Sequence, residues 1–328
     1  MKIFRFWGVL ALVALIPVAA LFSVLRGGGV TPGYALKNFD RSFSESFALK
    51  GAFGGLLNFA ERMFGKREIN GVIIGGEQLF RKFPEPSRES CEYNIKLIKD
   101  FAERNLCAPF LMIVPSAIEI QKKGLPPYAA SWSQKDTIKG ILSALGDSVA
   151  PIDVYQALFN NKNAYIYYRT EDSWTVEGAY YAYVEAGKAM KYEGLAIDMF
   201  SVKNEDSDYY GALYYLAGSP DIKPDIVRSF SGAYYSPEAL EQIYKYNQDK
   251  TNPAVINTEA TSSMSLIIFS DGYGDLLAPF LTLYYSKITV MDLSRLGDVK
   301  LNPGSYNHVL IVGGIENFSQ NRIGAPSE

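Results

Sequence analysis

Three short runs of unbroken apolar residues constrain this chain most: Phe110 to Val114, Leu266 to Phe269 and Val309 to Val312. A strand covered on one face alternates apolar with polar residues; a strand covered on both reads as these do. Amphipathic stretches lie between them, such as Glu92 to Arg104 with Tyr93, Leu97, Ile98 and Phe101 on one face. The predicted order is a strand within Gly65 to Gly75, helix Pro86 to Asn105, strand Phe110 to Val114, helix Lys135 to Leu145 and strand Val149 to Val154. A strand at Tyr165 to Tyr168 with its helix, strand Ser265 to Ser270, helix Leu276 to Tyr285, and strands Ile288 to Met291 and His308 to Val312 follow. Strand and helix in alternation predict an α/β fold with a mostly parallel central sheet covered on both faces. Between 198 and 250 this pattern gives way to Tyr, Ser, Asp and Pro clusters, which predict an insertion at the rim of the sheet.

With 328 residues, 48% of them hydrophobic, the chain can bury one large core or two modest ones. A net charge of -3 provides no basic field for nucleic acid. Lys2 and Arg5 precede an apolar run from Gly8 to Leu25, long enough to cross a bilayer with its amino end in the cytoplasm. Residues 1–26 therefore read as an anchor helix, with the bulk of the chain outside the cell. Cleavage after Ala20 would instead release a secreted protein. Residues 27–64 read as a linker and helical lead-in, and 65–328 as the globular domain. Cys91 and Cys107 flank a helix whose ends lie roughly 20 Å apart, while a disulfide needs Cα atoms within about 7 Å, so two separate buried thiols are expected.

The predicted strand at Tyr165 leads into a polar turn, Thr170-Glu171-Asp172-Ser173-Trp174-Thr175, and then Gly178-Ala179-Tyr180-Tyr181-Ala182-Tyr183. This resembles the signature of the bacterial DHHW proteins, roughly T-D-H-H-W-T followed by G-A-Y-Y-A-Y. These are relatives of the alginate O-acetylation proteins in the SGNH-hydrolase superfamily. Gly65 to Gly75 is similar to the family's G-K-R-E-x-N-G-V-x-x-G pattern, and Asp271-Gly272-Tyr273 to its D-S-Y motif. A further run, Pro279 to Ser286, resembles a family stretch in which a histidine often stands where Tyr284 is. The resemblance implies an SGNH-like three-layer sandwich with its site at the carboxyl ends of the strands.

It also implies catalytic positions: a serine nucleophile, a histidine base and an aspartate that orients it. Here those positions carry Gly272, Ser173 and Glu171. Glycine has no nucleophile, and a serine hydroxyl is no base near neutral pH. Losing both costs on the order of 10⁶ in rate in triad enzymes. The one histidine, His308, starts a strand where a packing role is expected.

The acids offer the remaining chemistry. Glu171, Asp172, Asp271 and Asp275 could converge at one sheet end and hold a Ca²⁺ or act as an acid and base pair. In the plainer reading Asp172 or Ser173 caps a helix starting at Trp174, and Asp275 caps one starting at Leu276. Trp174 and Tyr273 either stack on sugar rings or pack the turn against the sheet. Asp172, Trp174, Asp271, Tyr273 and Asp275 are thus the ligand-binding candidates, and no cofactor is expected. The sequence reads as a membrane-anchored, catalytically degenerate protein. From the resemblance, its partners would be cell-surface polysaccharide or a membrane-bound O-acyltransferase. Two alternatives remain open: an active acetyl esterase or O-acetyltransferase using Ser270, Ser173 or an aspartate, and a structural or sensory ectodomain.

Overall fold

A computed structural model describes residues 67–127, 129, 131–231 and 253–324 of the chain, all within the compact unit Gly65–Glu328. The expected anchor and lead-in, and the last part of the insertion, lie outside these residues. Among the described residues no helix is long and apolar enough to cross a membrane.

The amino-terminal strands are β1 (Glu68–Ile69), β2 (Val72–Ile74) and β3 (Leu79–Arg81). They form a small antiparallel sheet of their own rather than the first strand of the main sheet. The reason lies in Asn70-Gly71, whose φ values of 50° and 74° make the tight two-residue turn that joins β1 to β2. Helix α1 (Arg88–Asn105) starts at Ser87, whose hydroxyl accepts from the Ser90 N–H. Strand β4 (Phe110–Val114), the short helix α2 (Ala117–Ile120), helix α3 (Gln134–Leu145), strand β5 (Ala150–Pro151) and helix α4 (Tyr155–Asn160) follow.

Helix α5 (Val176–Met190) precedes the insertion, a two-stranded ribbon of β6 (Ser201–Tyr209) and β7 (Asp225–Ser231) with α6 (Ala212–Leu216) between them. The remainder is β8 (Ala254–Asn257), β9 (Ser265–Ser270), α7 (Tyr273–Leu281), β10 (Lys287–Asp292), β11 (His308–Gly314) and α8 (Ile315–Ser319).

The main sheet has the order β5-β4-β11-β9-β10-β8. All neighbours run parallel except β8, which closes the edge antiparallel to β10. The mixed α/β class and mostly parallel sheet are as the sequence predicts. After their first residue β4, β9 and β11 are buried at every position, so both faces of these strands are covered. The helices pack in two groups, α1 with α3 and α8, and α5 with α4 and α7.

Tyr165 to Tyr168 is not a strand of this sheet. It makes a single antiparallel bridge, Tyr167 to Trp174, within its own loop. Ile166, Tyr167 and Tyr168 are buried by packing, and the Tyr167 hydroxyl donates to the Pro115 carbonyl at 2.6 Å. A short apolar run signals burial and leaves open how the backbone is paired.

Candidate functional site at the carboxyl ends of the strands

The chain leaves β9 at Ser270 and turns through Asp271 and Gly272 into α7. The buried Ser270 Oγ accepts from the N–H groups of Gly272 (3.0 Å) and Gly274 (2.9 Å), so this hydroxyl caps the helix. Asp271 Oδ2 accepts from Gly314 N–H (2.8 Å) and Asn317 Nδ2 (2.6 Å), tying the β9 loop to the end of β11. Burial pushes the Asp271 carboxyl above its usual range, and these donors pull it partly back. Gly272 has φ +120°, and a Cβ built there meets nothing within 4 Å. The position at 272 is thus open space over a backbone that few side chains adopt.

The polar turn meets this loop through two aromatic residues. Trp174 is 0% exposed, its Nε1 donates to the Tyr273 carbonyl at 3.2 Å, and the two rings meet edge-on with centroids 5.1 Å apart. The Tyr273 hydroxyl returns to the Asp172 carbonyl at 3.4 Å. Both rings are buried, so they pack the turn and present no face for a sugar. Helix α5 is capped by Thr175, whose Oγ1 accepts from Gly178 N–H at 3.3 Å. Asp172 and Ser173 lie outside the helix, three and two residues before the capping Thr175, because Trp174 is still part of the loop. Likewise α7 begins at Tyr273, which places the buried Asp275 in its first turn rather than at a cap.

The four acids do not converge. Glu171 turns to the insertion, where Oε2 accepts from Ala212 N–H at 2.7 Å, while Oε1 accepts from Asp172 N–H at 2.9 Å. Asp172 pairs with Arg81 of β3, Nε to Oδ2 at 2.5 Å, and Asp271 is committed to the β11 end. Among the described residues no group of three or more His, Cys, Asp or Glu is placed to hold a metal ion.

The same turn holds the insertion through Asp225, which is 0% exposed. Its carboxylate accepts from the Tyr165 hydroxyl, the Arg169 and Thr170 N–H groups, and the Thr170 hydroxyl.

The family model described as DHHW protein matches residues 95–249. The chain is DHHW-like. A DHHW family protein from Eubacterium siraeum superposes with TM-score 0.66 at 21% identity, covering 78% of this chain and 95% of that one. Bacillus cereus PatB1 gives TM-score 0.61 at 16% identity, with 77% and 98% covered. The O-acetyltransferase domain of Pseudomonas putida AlgJ gives 0.53 at 14%, with 78% and 95% covered. At these identities the likeness is one of fold. No curated protein sequence matches the chain.

In this DHHW-like chain His308 sits at the start of β11, and the site lies at that strand's far end, about 20 Å away. Its Nδ1 shares a hydrogen bond with the Tyr285 hydroxyl at 2.6 Å, its ring packs edge-on against Phe110, and burial lowers its pKa. Cys91 and Cys107 are free, half-buried thiols, and burial raises both pKa values. They are less enclosed than the sequence led us to expect, since each lies near an end of α1 rather than at its centre.

Three polar residues at the site carry no family signal: Arg81, Ser116 and Glu316. Ser116, just past β4, is 1% exposed; its N–H donates to Gln134 Oε1 (2.8 Å) and its Oγ accepts from Gln134 Nε2 (2.7 Å). Glu316 follows Gly313-Gly314 past the end of β11. Its Oε1 is buried with no hydrogen-bond partner among the described residues. Burial, then the charge of Asp172, push its pKa up to about 8, against the Ser116 hydroxyl and Arg81, which lower it. Asp172 is raised too, by burial first, with Arg81 opposing. An acid just beyond a central parallel strand stands where open α/β sheets place their sites, and that rule could have singled out Glu316 from the sequence.

Proposed function

We propose that this protein is an extracytoplasmic, membrane-anchored component of polysaccharide O-acetylation that binds glycan or an O-acyltransferase partner without moving the acyl group itself. The observation that carries the reading is the use of the three catalytic positions. Gly272 offers no nucleophile, Glu171 is bonded to Ala212 of the insertion, and Ser173 is no base, while the imidazole of the chain is at the opposite sheet end. The process is argued from the fold shared with a domain described as an O-acetyltransferase. The outward location is argued from the apolar run Gly8 to Leu25.

The test compares acetyl-ester hydrolysis by the full chain with that of a revertant carrying Glu171→Asp, Ser173→His and Gly272→Ser, alongside binding of both to acetylated polysaccharide. Background hydrolysis with retained binding supports the reading, and activity of the revertant would strengthen it. Turnover by the unaltered chain well above background would overturn it. One observation favours that rival: the buried Ser116 and the acid Glu316 follow the carboxyl ends of the neighbouring parallel strands β4 and β11, a hydroxyl and an acid at the same sheet end. Ser116→Ala decides between them, since it abolishes turnover only if this pair performs it.

A further inference from the structure

The chain carries tyrosines of two kinds. The hydroxyls of Tyr165, Tyr167, Tyr183, Tyr192 and Tyr209 each bond a group of the fold. Those of Tyr210, Tyr214 and Tyr215, on and just before α6, have no hydrogen-bond partner among the described residues. Their rings come together: Tyr210 and Tyr214 lie at a 33° tilt with centroids 4.1 Å apart, and Tyr215 meets Tyr214 edge-on at 5.4 Å. Tyr215 is 65% exposed and Leu216 beside it 38%. Scattered apolar residues on a surface are ordinary, whereas a contiguous group of this kind marks a place of contact.

The rings stand on a fixed base. Leu213 is buried with Val72 and Leu79 of the small sheet, Ala217 and Ile222, and Tyr214 packs against the same cluster. Hydrogen bonds tie the backbone to the polar turn: Gly211 N–H donates to Thr170 Oγ1 (2.8 Å), Ala212 N–H to Glu171 Oε2 (2.7 Å) and Tyr214 N–H to the Thr170 carbonyl (3.3 Å). Asn70 Nδ2 holds the far end through the Leu216 carbonyl at 2.9 Å. A surface already in place loses little entropy on binding, and tyrosine has few torsions to lose.

We propose that Tyr210, Tyr214 and Tyr215 form a carbohydrate platform, which takes a polysaccharide chain free of carboxylate groups and leads it to the turn Thr170 to Trp174. The C–H face of a pyranose is apolar and slightly positive, so it suits the negative face of an aromatic ring, while the phenol hydroxyls serve the sugar hydroxyls as donors or acceptors. An apolar protein surface would use the rings and leave three hydroxyls unpaired, at a cost. The charge of the sugar follows from the neighbours. Within 201–224 the exposed charges are Lys203 and Lys223 against Glu205, Asp206, Asp208 and Asp221, and Lys203 is taken by Glu205 at 2.9 Å. A uronate chain would meet like charge there, and a neutral or amino sugar would not. This inference deepens the glycan arm of the proposed function and rests on it.

The full chain in phosphatidylcholine nanodiscs tests it, titrated with hexamers of β-1,4-linked glucose, β-1,4-linked N-acetylglucosamine and α-1,4-linked galacturonate, with saturation-transfer NMR showing which sugar protons are touched. At least one neutral hexamer should bind through its C–H faces, weakened by about fivefold or more in Tyr210→Ala and in Tyr215→Ala. Tyr215→Phe keeps the ring and should lose only about twofold. Because the Tyr215 side chain is mostly exposed, its removal leaves the packing under α6 in place. Galacturonate should bind about tenfold more weakly than the neutral chain, and Asp208→Asn with Asp221→Asn should narrow that gap. No binding of either neutral hexamer, affinity unchanged in both alanine variants, or galacturonate held as tightly as the neutral chains would overturn the platform. Glycan binding that survives the tyrosine variants overturns the platform alone and leaves the functional reading standing. Ester turnover by the unaltered chain overturns that reading and leaves the platform to its own titration.

Discussion

The two ends of the central sheet are built from opposite materials. At the start of β11, His308 meets Tyr285 and Phe110, and the neighbouring Asn307 Oδ1 takes the Ser265 N–H at 2.8 Å. At the carboxyl end stand the half-buried acids Asp271, Asp172 and Glu316, of which only Asp172 is paired with a guanidinium, that of Arg81, and glycine stands at 272, 313 and 314. A Cβ on Gly313 would fall 2.7 Å from Asp271 Oδ2, so the backbone there is fitted to the acid. The first end is closed by neutral contacts that stabilise the fold; the second encloses charge at a cost. That contrast sets the carboxyl end apart as the candidate site, since costly polar burial clusters where proteins do chemistry or bind.

The most forceful way to break the contrast is Trp174→Ala. It removes a fully buried indole that joins the turn to the β9 loop, and should lower unfolding stability by about 3–5 kcal/mol, read from the denaturant midpoint. Next is Asp225→Ala, which strands buried donors of the turn and should cost about 2–4 kcal/mol, with increased proteolysis within 201–231 as its signature.

The pH dependence of stability sharpens the comparison, because the ends respond in opposite senses. Glu316 is raised in the folded state, so its contribution is full below the ordinary carboxyl range, declines as pH rises, and is lost once the group ionises near 8. Glu316→Gln should therefore gain about 1–3 kcal/mol over the wild type at pH 9 and little at pH 4, measured by thermal melts across pH. His308 is lowered in the folded state, so its contribution is present above the ordinary histidine range, declines as pH falls and is gone once the folded ring protonates. His308→Gln should flatten that acid side by about 1 kcal/mol or less.

A modest effect, comparable in size to that of His308→Gln, belongs to Gly272→Ser. Space is available, so only the backbone at φ +120° resists, and a loss of about 1–2 kcal/mol with an unchanged fold is expected.

Much of this architecture was legible in the sequence because burial on both faces leaves unbroken apolar runs, as in β4, β9 and β11. The β1 to β2 hairpin was legible too, in Asn70-Gly71, a signal stronger than the apolar Val72 to Ile74 that suggested a sheet strand. Tyr165 to Tyr168 misleads because its apolar side chains are buried without a ladder, and the antiparallel β8 is too short to announce itself. At the site, Trp174 and Tyr273 were found through motif spacing. The Arg81 to Asp172 pair joins residues 91 positions apart and the Glu316 cluster closes across three loops, neither of which any local pattern records.

The close approach at Gly178 has a consequence of another kind. A Cβ there would fall 2.4 Å from the Ile166 carbonyl oxygen and 2.8 Å from Trp174 Cβ, so no larger residue fits whatever the protein does. Packing alone is enough to keep this glycine and the indole in place. A motif that includes both therefore reports the shape of the turn, and says nothing by itself about chemistry at the positions between them.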